Sequence, residues 1–359
     1  MWQPNCRSKH ERAGREGSHW RPSIMSFRAR SSEVPEHQSK ITTHNASAVP
    51  GAGDWPMVDA PIGVTRVSLR RILWATDFSP CSEAALQYAM GIAHRYGAYL
   101  YLAHVVRPES FDYVVPEAVT GMLDEARRGA EEQMARLLVT GRLRGVSHQV
   151  IIGVGMLWPV LSRLVQEHEI DMIVAGTHGR TGFRKLLLGS VAQEIFRNAP
   201  CPVLTVGPRV NAEAGEAVRA RRILYATNFT PASEGSACYA VSLAQENQAD
   251  LTLMHVVEEG DDLSPGRRME VTDSVGRQLR ELVPAQRDTQ HEPEFVVEFG
   301  SPPEMILKAA EEHKADFIVL GIRRPTHLFG HPTSDTAYKV VCGAGCPVLT
   351  VPCEPEAKH

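Results

Sequence analysis

The sequence lacks several features that would assign it to common functional classes. It has no run of eighteen or more apolar residues, so no membrane-spanning helix is expected. Its formal net charge of −4 gives no electrostatic reason to expect a nucleic-acid ligand. Its seven cysteines form no CxxC pair and no closed ligand set, which favours reduced thiols over a metal site. We therefore expect no membrane partner, no nucleic-acid partner and no protein-built metal site.

The N-terminus is polar and lacks the apolar core of a signal peptide, so a cytoplasmic location is the default expectation. Residues 1–60 are rich in Ser, His, Pro, Gly, Arg and Glu and show no sustained hydrophobic period. A segment of this composition cannot bury enough apolar surface to offset the entropy that ordering would cost. We predict a disordered segment over residues 1–65.

Comparison of the chain with itself reveals an internal duplication. Three segments recur in the same order: RRILWATDFSP (70–80) as RRILYATNFTP (221–231), HVV (104–106) as HVV (255–257), and CPVLTV (201–206) as CPVLTV (346–351). Eight of the eleven positions in the first pair are identical, and the offset falls from 151 to 145 residues, so the second copy is six residues shorter. We predict domain 1 at 66–210 and domain 2 at 220–353, joined by a polar linker at 211–219.

Each copy alternates short apolar runs with segments of helical period, which predicts a parallel, doubly wound sheet covered by helices on both faces. Ser79 and Pro80 are suited to the N-cap and first position of the first helix. In such sheets, ligands bind at the carboxyl ends of the strands, near the point where the strand order reverses. We therefore expect Asp77, after strand one, and Gly176, after strand four, to face one crevice.

A glycine-rich loop, GTHGRTGFRKLLLGSVAQ (176–193), follows the fourth predicted strand and runs into a helix. Gly176, Gly179 and Gly182 allow the backbone to turn at positive φ and to approach a ligand closely. Successive backbone N–H groups in such a loop can form an anion-binding nest. A glycine-rich structural turn is the alternative, but the strand–loop–helix context favours an anion or nucleotide site.

The loop carries the spacing Gly176-x2-Gly179-x9-Gly189-Ser190. Gly189, Ser190 and Val191 open a helix, where free N–H groups and the helix dipole favour phosphate. The Ser190 hydroxyl is a candidate either to cap the helix or to donate to a phosphate oxygen. The loop is neither a Walker motif nor a G-x-G-x-x-G fingerprint after strand one.

Taken together, the ATDFSP first strand, the HVV of strand two, the glycine loop and the CPVLTV last strand resemble the universal stress protein family. The resemblance covers nearly all of residues 69–353. It implies two tandem flavodoxin-like (adenine-nucleotide alpha-hydrolase-like) domains, each a five-stranded parallel doubly wound sheet, forming a pseudo-dimer. Strands 202–206 and 347–351 are candidates for the contact, because dimers of the family commonly pair there.

The resemblance also implies the ligand, since ATP-binding members of the family hold adenine nucleotides without a Walker motif. Asp77 would contact adenine, the backbone of Val105 would line the adenine pocket, and Gly176 would lie against the ribose. Donors to the phosphates would come from Gly179, Gly189, Ser190 and Val191. Magnesium is expected only as a companion of ATP. For Asp77 alone, the alternative is a helix-entry residue that caps its neighbour.

The second copy departs from this pattern at five positions: Asp77 becomes Asn228, Gly179 becomes Arg324, Gly182 becomes His327, Gly189 becomes Ser334 and Ser190 becomes Asp335. Pro325 and Pro332 remove two N–H donors, and the aspartate would repel a phosphate. We predict a loop that is degenerate for ATP. The alternative is a site for a different anion, built from Arg323, Arg324 and His327.

The sequence therefore favours an ATP-binding regulatory protein of the stress-response type, with the nucleotide in domain 1. Domain 2 would be structural or would bind a protein partner, and a protein partner or a homo-oligomer is expected. Two alternatives stay open: a slow ATPase or autophosphorylating enzyme, and an interaction module that binds no nucleotide. Phosphoryl transfer needs metal ligands and a positioned base. No residue is singled out as catalytic, because His178 is interpreted as a solvent-exposed loop residue.

Overall fold

The computed structural model describes residues 24–29, 42–44, 67–107, 116–178, 188–210, 220–258, 263–283, 292–323 and 335–353. The strands in these ranges form one continuous sheet of twelve. Across the same ranges, no helix combines the length and the apolar character that a membrane span requires.

The two sequence repeats fold into the same succession of elements, preceded by two short strands, β1 (Ile24–Ala29) and β2 (Thr42–His44). Domain 1 contains β3 (Arg71–Ala75), α1 (Pro80–Tyr96), β4 (Tyr99–Val106), α2 (Pro116–Val139), β5 (His148–Val154), α3 (Leu157–Glu167), β6 (Met172–Gly176), α4 (Ser190–Asn198) and β7 (Val203–Val206). Domain 2 contains β8 (Arg222–Ala226), α5 (Pro231–Asn247), β9 (Asp250–Val257), α6 (Pro265–Glu281), β10 (Glu294–Phe299), α7 (Pro302–Glu312), β11 (Phe317–Arg323), α8 (Asp335–Gly343) and β12 (Val348–Cys353).

The strand order is the same in both domains. It runs β5-β4-β3-β6-β7 in domain 1 and β10-β9-β8-β11-β12 in domain 2, and all pairs within a domain are parallel. The order reverses between the first and fourth strands of each domain, which opens a crevice at their carboxyl ends. The predicted fold class, two flavodoxin-like sheets of five parallel strands, is confirmed.

Alternate side chains of β3 fill two separate cores, one on each face of the sheet. Ile72 and Trp74 pack with α1 and α2, whereas Leu73 and Ala75 pack with α3 and α4. Because both faces are covered, residues 72–75 of the strand are all apolar, rather than every second one. This explains why the strand appears in the sequence as a short continuous apolar run.

Helix α1 begins as the sequence predicts. Ser79 is the N-cap, and its hydroxyl accepts a hydrogen bond from the backbone N–H of Ser82 at 3.2 Å. Pro80 occupies the first helical turn, where its missing N–H costs no hydrogen bond. The helix ends at Gly97, which adopts the left-handed conformation at φ 62°. These caps fix where the helix starts relative to the crevice.

The two domains are joined through their last strands, which pair antiparallel, as the resemblance implied. Leu204 lies opposite Leu349 at the centre of the pairing. The Thr205 hydroxyl donates to the Val348 carbonyl at 3.1 Å, and the Thr350 hydroxyl donates to the Val203 carbonyl at 3.2 Å. These reciprocal bonds are typical of a two-fold related, self-complementary interface. The chain is therefore a pseudo-dimer of its own repeats.

The expectation of disorder over residues 1–65 does not hold for β1 and β2. Strand β1 pairs antiparallel with β5 over six residues, from Ile24 opposite Gly153 to Ala29 opposite His148, and β2 pairs with β1. Composition could not indicate this, because the pairing depends on the backbone groups that an edge strand presents. The rest of 1–65 lies outside the part of the chain that the structure describes.

Candidate functional site

The turn that leaves β3 has an unusual backbone, held by two polar contacts. Phe78 adopts φ 60°, which is rare for a bulky residue, and its N–H donates to the Thr76 hydroxyl at 2.9 Å. His104 on β4 lies with Nδ1 2.7 Å from the Thr76 carbonyl oxygen, and its ring is 4.6 Å from the Phe78 ring. The turn therefore fixes how the chain passes from β3 into α1, and its residues Thr76 and Asp77 line the crevice.

Asp77 lies in this turn and lines the crevice. Its Oδ1 accepts a hydrogen bond from the Ser79 N–H at 3.0 Å, so the carboxylate caps its neighbour as the alternative interpretation proposed. This contact holds one carboxylate oxygen beside the entry to α1. The adenine contact of Asp77 remains a prediction. The side chain lines the crevice in which that contact would be made.

Gly176 has a packing role that the sequence did not reveal. A Cβ at this position would lie 2.6 Å from both the Cys81 carbonyl carbon and the Ser82 nitrogen, in the first turn of α1. Real Cβ atoms do not approach backbone this closely, so only glycine allows α1 and β6 to meet here. The glycine also lines the crevice, so its contact with α1 leaves the ribose contact as a prediction.

The crevice is a cleft of about 540 Å³ at the carboxyl ends of β3, β4 and β6. Six of the residues singled out from the sequence line it: Asp77, Val105, Gly176, Gly189, Ser190 and Val191. Gly179 and Gly182 lie outside the described residues. The strands thus bring together segments that are more than one hundred residues apart in the sequence.

The N-terminus of α4 forms one end of the cleft. Its N-cap is Gly189, whose own N–H donates to the Thr177 carbonyl at 2.8 Å and so ties the helix start to the end of β6. The N–H groups of Ser190, Val191 and Ala192 have no acceptor inside the helix. The first turn also contains no acidic residue to occupy them. Because the N-cap is a glycine, the predicted capping role of Ser190 is not observed, and its exposed side chain is at the first helical position.

His178 links the start of the glycine loop to α1. Its carbonyl accepts a hydrogen bond from the Ser79 hydroxyl at 3.0 Å, and its Nδ1 lies 2.9 Å from the Thr177 hydroxyl. The residue is half-buried, so its interpretation as a solvent-exposed loop residue was wrong. These contacts give His178 a structural role at the floor of the cleft.

Sequence reasoning missed three residues at or behind the cleft. Arg107 and Gln133 line it, and His104 supports its floor through Thr76. Self-comparison contained a signal for His104, because this histidine recurs with the two valines that follow it. Self-comparison also contained a signal for Arg107, because domain 2 has Glu258 at the corresponding position. Arg107 adds positive charge to the cleft.

Domain 2 repeats the supporting network. Phe229 adopts φ 55° and its N–H donates to the Thr227 hydroxyl at 3.0 Å, while His255 Nδ1 lies 2.8 Å from the Thr227 carbonyl. Asn228 takes the place of Asp77, and its Oδ1 accepts from the Thr230 hydroxyl at 2.8 Å. The predictions on Arg324, Pro325, His327, Pro332 and Ser334 lie outside the described residues, as do the side chains of Arg323 and Asp335.

Comparisons with known proteins agree with this architecture. A profile of the universal stress protein family matches residues 68–207 and 219–352. A universal stress protein of Methanocaldococcus jannaschii is 30% identical over 138 residues, which cover 38% of this chain and 81% of that protein. A second one from the same organism is 26% identical over 155 residues, covering 39% of this chain and 96% of the relative.

Among solved structures, a universal stress protein from Archaeoglobus fulgidus aligns with a TM-score of 0.57 and 21% identity. The alignment covers 79% of this chain and 98% of that one, so it includes both repeats and supports the shared fold. The matched ranges take in both domains, and they contain the cleft, the duplicated turn and the paired last strands. The chain therefore belongs to the universal stress protein family, as a tandem member with two family domains.

Proposed function

We propose that domain 1 binds an adenine nucleotide, ATP, in its cleft and that the protein acts as a nucleotide-binding regulator. The observation that carries the proposal is the open N-terminus of α4, which supplies free N–H groups and the positive end of a helix dipole. It lies at one end of a cleft of about 540 Å³, within the range of small-molecule sites. This end of the cleft is suited to a phosphate group.

The remaining walls of the cleft suit a nucleoside. Val105, Leu157 and Leu161 give it an apolar side, while Asp77 offers a carboxylate near the end of β3. An apolar wall with one acceptor fits a flat heterocycle that carries an amino group, and the far end fits an anion. ATP combines both features in one molecule, and Arg107, which also lines the cleft, adds a positive charge.

Magnesium is proposed only as a companion of the phosphates. Within the described ranges, no three His, Cys, Asp or Glu side chains are grouped to hold a metal ion. A phosphate-bound magnesium commonly keeps several waters and few protein ligands.

Domain 2 is proposed to serve as a structural or partner-binding half that holds no ATP. It keeps the fold and the supporting turn, but Asn228 replaces the carboxylate and an aspartate opens the helix that corresponds to α4. A stress-response role, a cytoplasmic location and a protein partner or homo-oligomer are part of the same proposal. Each rests on family membership rather than on a particular contact.

We propose that the cleft binds ATP and does not hydrolyse it. Two of the polar side chains there are engaged in structure: Asp77 with Ser79, and His178 with Thr177. Among the described residues, the His178 imidazole lies beside the Thr177 hydroxyl, but Thr177 is buried, so we assign this pair a structural role rather than phosphoryl transfer. Steady phosphate release at about one per second or faster would overturn this part of the proposal.

Calorimetric titration with ATP tests the binding site directly, with a matched pair of variants. Asp77→Asn keeps the acceptor for the Ser79 N–H and removes the charge, so ATP affinity should fall by roughly 10-fold. Asn228→Asp makes the reverse change in domain 2 and should leave the affinity unaltered. If wild-type protein bound no ATP, the proposal would fail. Equal losses from both variants would place the nucleotide outside domain 1.

A further inference from the structure

Helix α8 of domain 2 contacts the end of the glycine loop of domain 1. The backbone N–H of Leu188 donates to the Tyr338 hydroxyl oxygen at 3.3 Å. Leu188 immediately precedes Gly189, the N-cap of α4. The N–H of Gly189 donates to the carbonyl of Thr177, which directly follows β6 of domain 1. Two consecutive N–H groups are therefore held by acceptors from different domains. One of the two supports of this helix start comes from the other domain.

The contact is part of a wider interdomain cluster. Leu188, Ala192 and Phe196 of domain 1 are buried in the same apolar core as Val340 and Val341 of α8. One turn beyond Tyr338 lies Cys342, which is also buried. Burial raises the pKa of the Cys342 thiol, while hydrogen bonds from the Tyr338 hydroxyl and the Leu188 backbone act against that rise. Tyr338 and Cys342 thus face the same backbone group.

This arrangement is absent from the corresponding helix of domain 1. Gln193 and Arg197 occupy the positions in α4 that Tyr338 and Cys342 occupy in α8. Arg197 is exposed, whereas Cys342 is buried. The two last helices are therefore not interchangeable, and the one that presents a tyrosine belongs to the domain with the degenerate loop. That domain supports the loop that kept its glycines.

We propose that Tyr338 is a positioning residue for the nucleotide site of domain 1, so that domain 2 completes the site by holding the start of α4. The inference rests on the proposed function and goes beyond it, because it assigns domain 2 a part in ligand binding. Tyr338 acts through the backbone of Leu188, which fixes the direction of the N–H groups of Ser190 and Val191. Donors that are already aligned lose less entropy when a phosphate binds.

The effect should be confined to the phosphate end of the ligand, which separates positioning from general stability. Tyr338→Phe keeps the ring and its packing and removes only the hydroxyl. ATP affinity should fall by roughly 3- to 10-fold, the range expected for one neutral hydrogen bond, while adenosine affinity stays unchanged. Tyr88→Phe is the matched control, because Tyr88 packs on Phe317 of domain 2 with its ring 5.9 Å away but does not line the cleft. It should alter neither affinity.

Calorimetry with ATP and adenosine, on wild type and both variants, decides the matter once circular dichroism shows that each is folded. An unchanged ATP affinity in Tyr338→Phe, or equal losses for ATP and adenosine, would overturn the inference and leave the proposed function intact. Absence of ATP binding in wild type would overturn both.

A second measurement needs no variant. If α4 and α8 are coupled through Leu188, ATP bound at the start of α4 should stabilise the closed contact, and alkylation of the buried Cys342 requires that contact to open. Saturating ATP should therefore slow alkylation of Cys342 several-fold, whereas adenosine should not. Peptide mass spectrometry distinguishes Cys342 from the other thiols. Equal alkylation rates with ATP and with adenosine would contradict the coupling.

Discussion

The two domains share most hydrogen bonds of the turn after their first strand, yet they differ at positions that line the domain 1 cleft. Phe78 and Phe229 both adopt positive φ, and both are held by a threonine and by a histidine on the next strand. Positive φ at a bulky residue often marks a functional site. Here it is kept in a domain whose ligand residues have changed, so it belongs to the fold.

Two of the differences between the domains replace a basic or neutral residue by an acidic one. Glu258 stands where domain 1 has Arg107, and Asp335 stands where it has Ser190. Both changes add negative charge at positions that correspond to the lining of the domain 1 cleft. Domain 2 thus retains the architecture around the domain 1 cleft without its charges. If domain 1 binds ATP as proposed, fold and binding are separable in this chain, and each domain can serve as the control for the other.

The largest expected effect comes from giving domain 1 the aspartate of domain 2. Ser190→Asp places a carboxylate at the helix start, where it competes for the N–H groups and repels phosphate. We expect ATP affinity to fall roughly 100-fold, about 3 kcal/mol, measured by calorimetry. Thermal stability should stay level or rise slightly, because an acidic residue in the first turn favours the helix dipole.

Ser190→Asn is the control for that variant, since it has nearly the size of aspartate without the charge. It should lose much less affinity than Ser190→Asp. If both variants bound ATP as tightly as wild type, the start of α4 would not be the phosphate site.

The next effect concerns stability rather than charge. Gly176→Ala introduces a Cβ 2.6 Å from backbone atoms of Cys81 and Ser82, so α1 and β6 must separate. We expect the free energy of unfolding to fall by about 2–3 kcal/mol, measured by urea denaturation, and the cleft to lose affinity with it. Gly207→Ala is the matched control, because its nearest neighbour would be Thr177 Oγ1 at 3.6 Å, an ordinary contact. Equal stability in both variants would contradict the packing role of Gly176.

The smallest effect tests the contact between the domains through its pH dependence. Burial raises the pKa of Tyr88 to about 12 from 10.0, with added repulsion from Cys346 and Asp316. Burial likewise raises the pKa of the Cys346 thiol to about 12 from 9.0, with added repulsion from Asp316. The folded chain therefore keeps both protons over a range in which the unfolded chain releases them.

Unfolding free energy should consequently fall as the pH rises from about 9 towards 12, on account of these two groups. Urea titrations at a series of pH values measure the slope, and Tyr88→Phe should make it shallower above about pH 10. The same slope in the variant and in wild type would show that Tyr88 does not couple to folding.

Much of the fold could be predicted from the sequence, because the repeat supplied two versions of each signal. The apolar runs gave the strands, Ser79 and Pro80 marked the start of α1, and the recurring CPVLTV segments pair as expected. β1 and β2 could not be predicted, since their pairing depends on an open strand edge and not on their own composition. Local patterns fail where the cause of order lies elsewhere in the chain.

The candidate site was predictable in its position and less so in its supports. Asp77 and Ser190 meet in one cleft because strand order brings loop ends together. The packing role of Gly176 depends on how α1 approaches β6, and the contact of Tyr338 depends on the packing of two domains. Neither geometry is encoded in a motif, so neither was visible before the structure.

The central claim is that this pseudo-dimer contains one nucleotide site, in domain 1. Calorimetric titration of the whole chain with ATP tests it most directly, because the stoichiometry counts the sites. The account predicts one ATP per chain in the wild type and none at the same concentrations in Ser190→Asp. Two equivalents per chain, or one equivalent that Ser190→Asp leaves untouched, would contradict it.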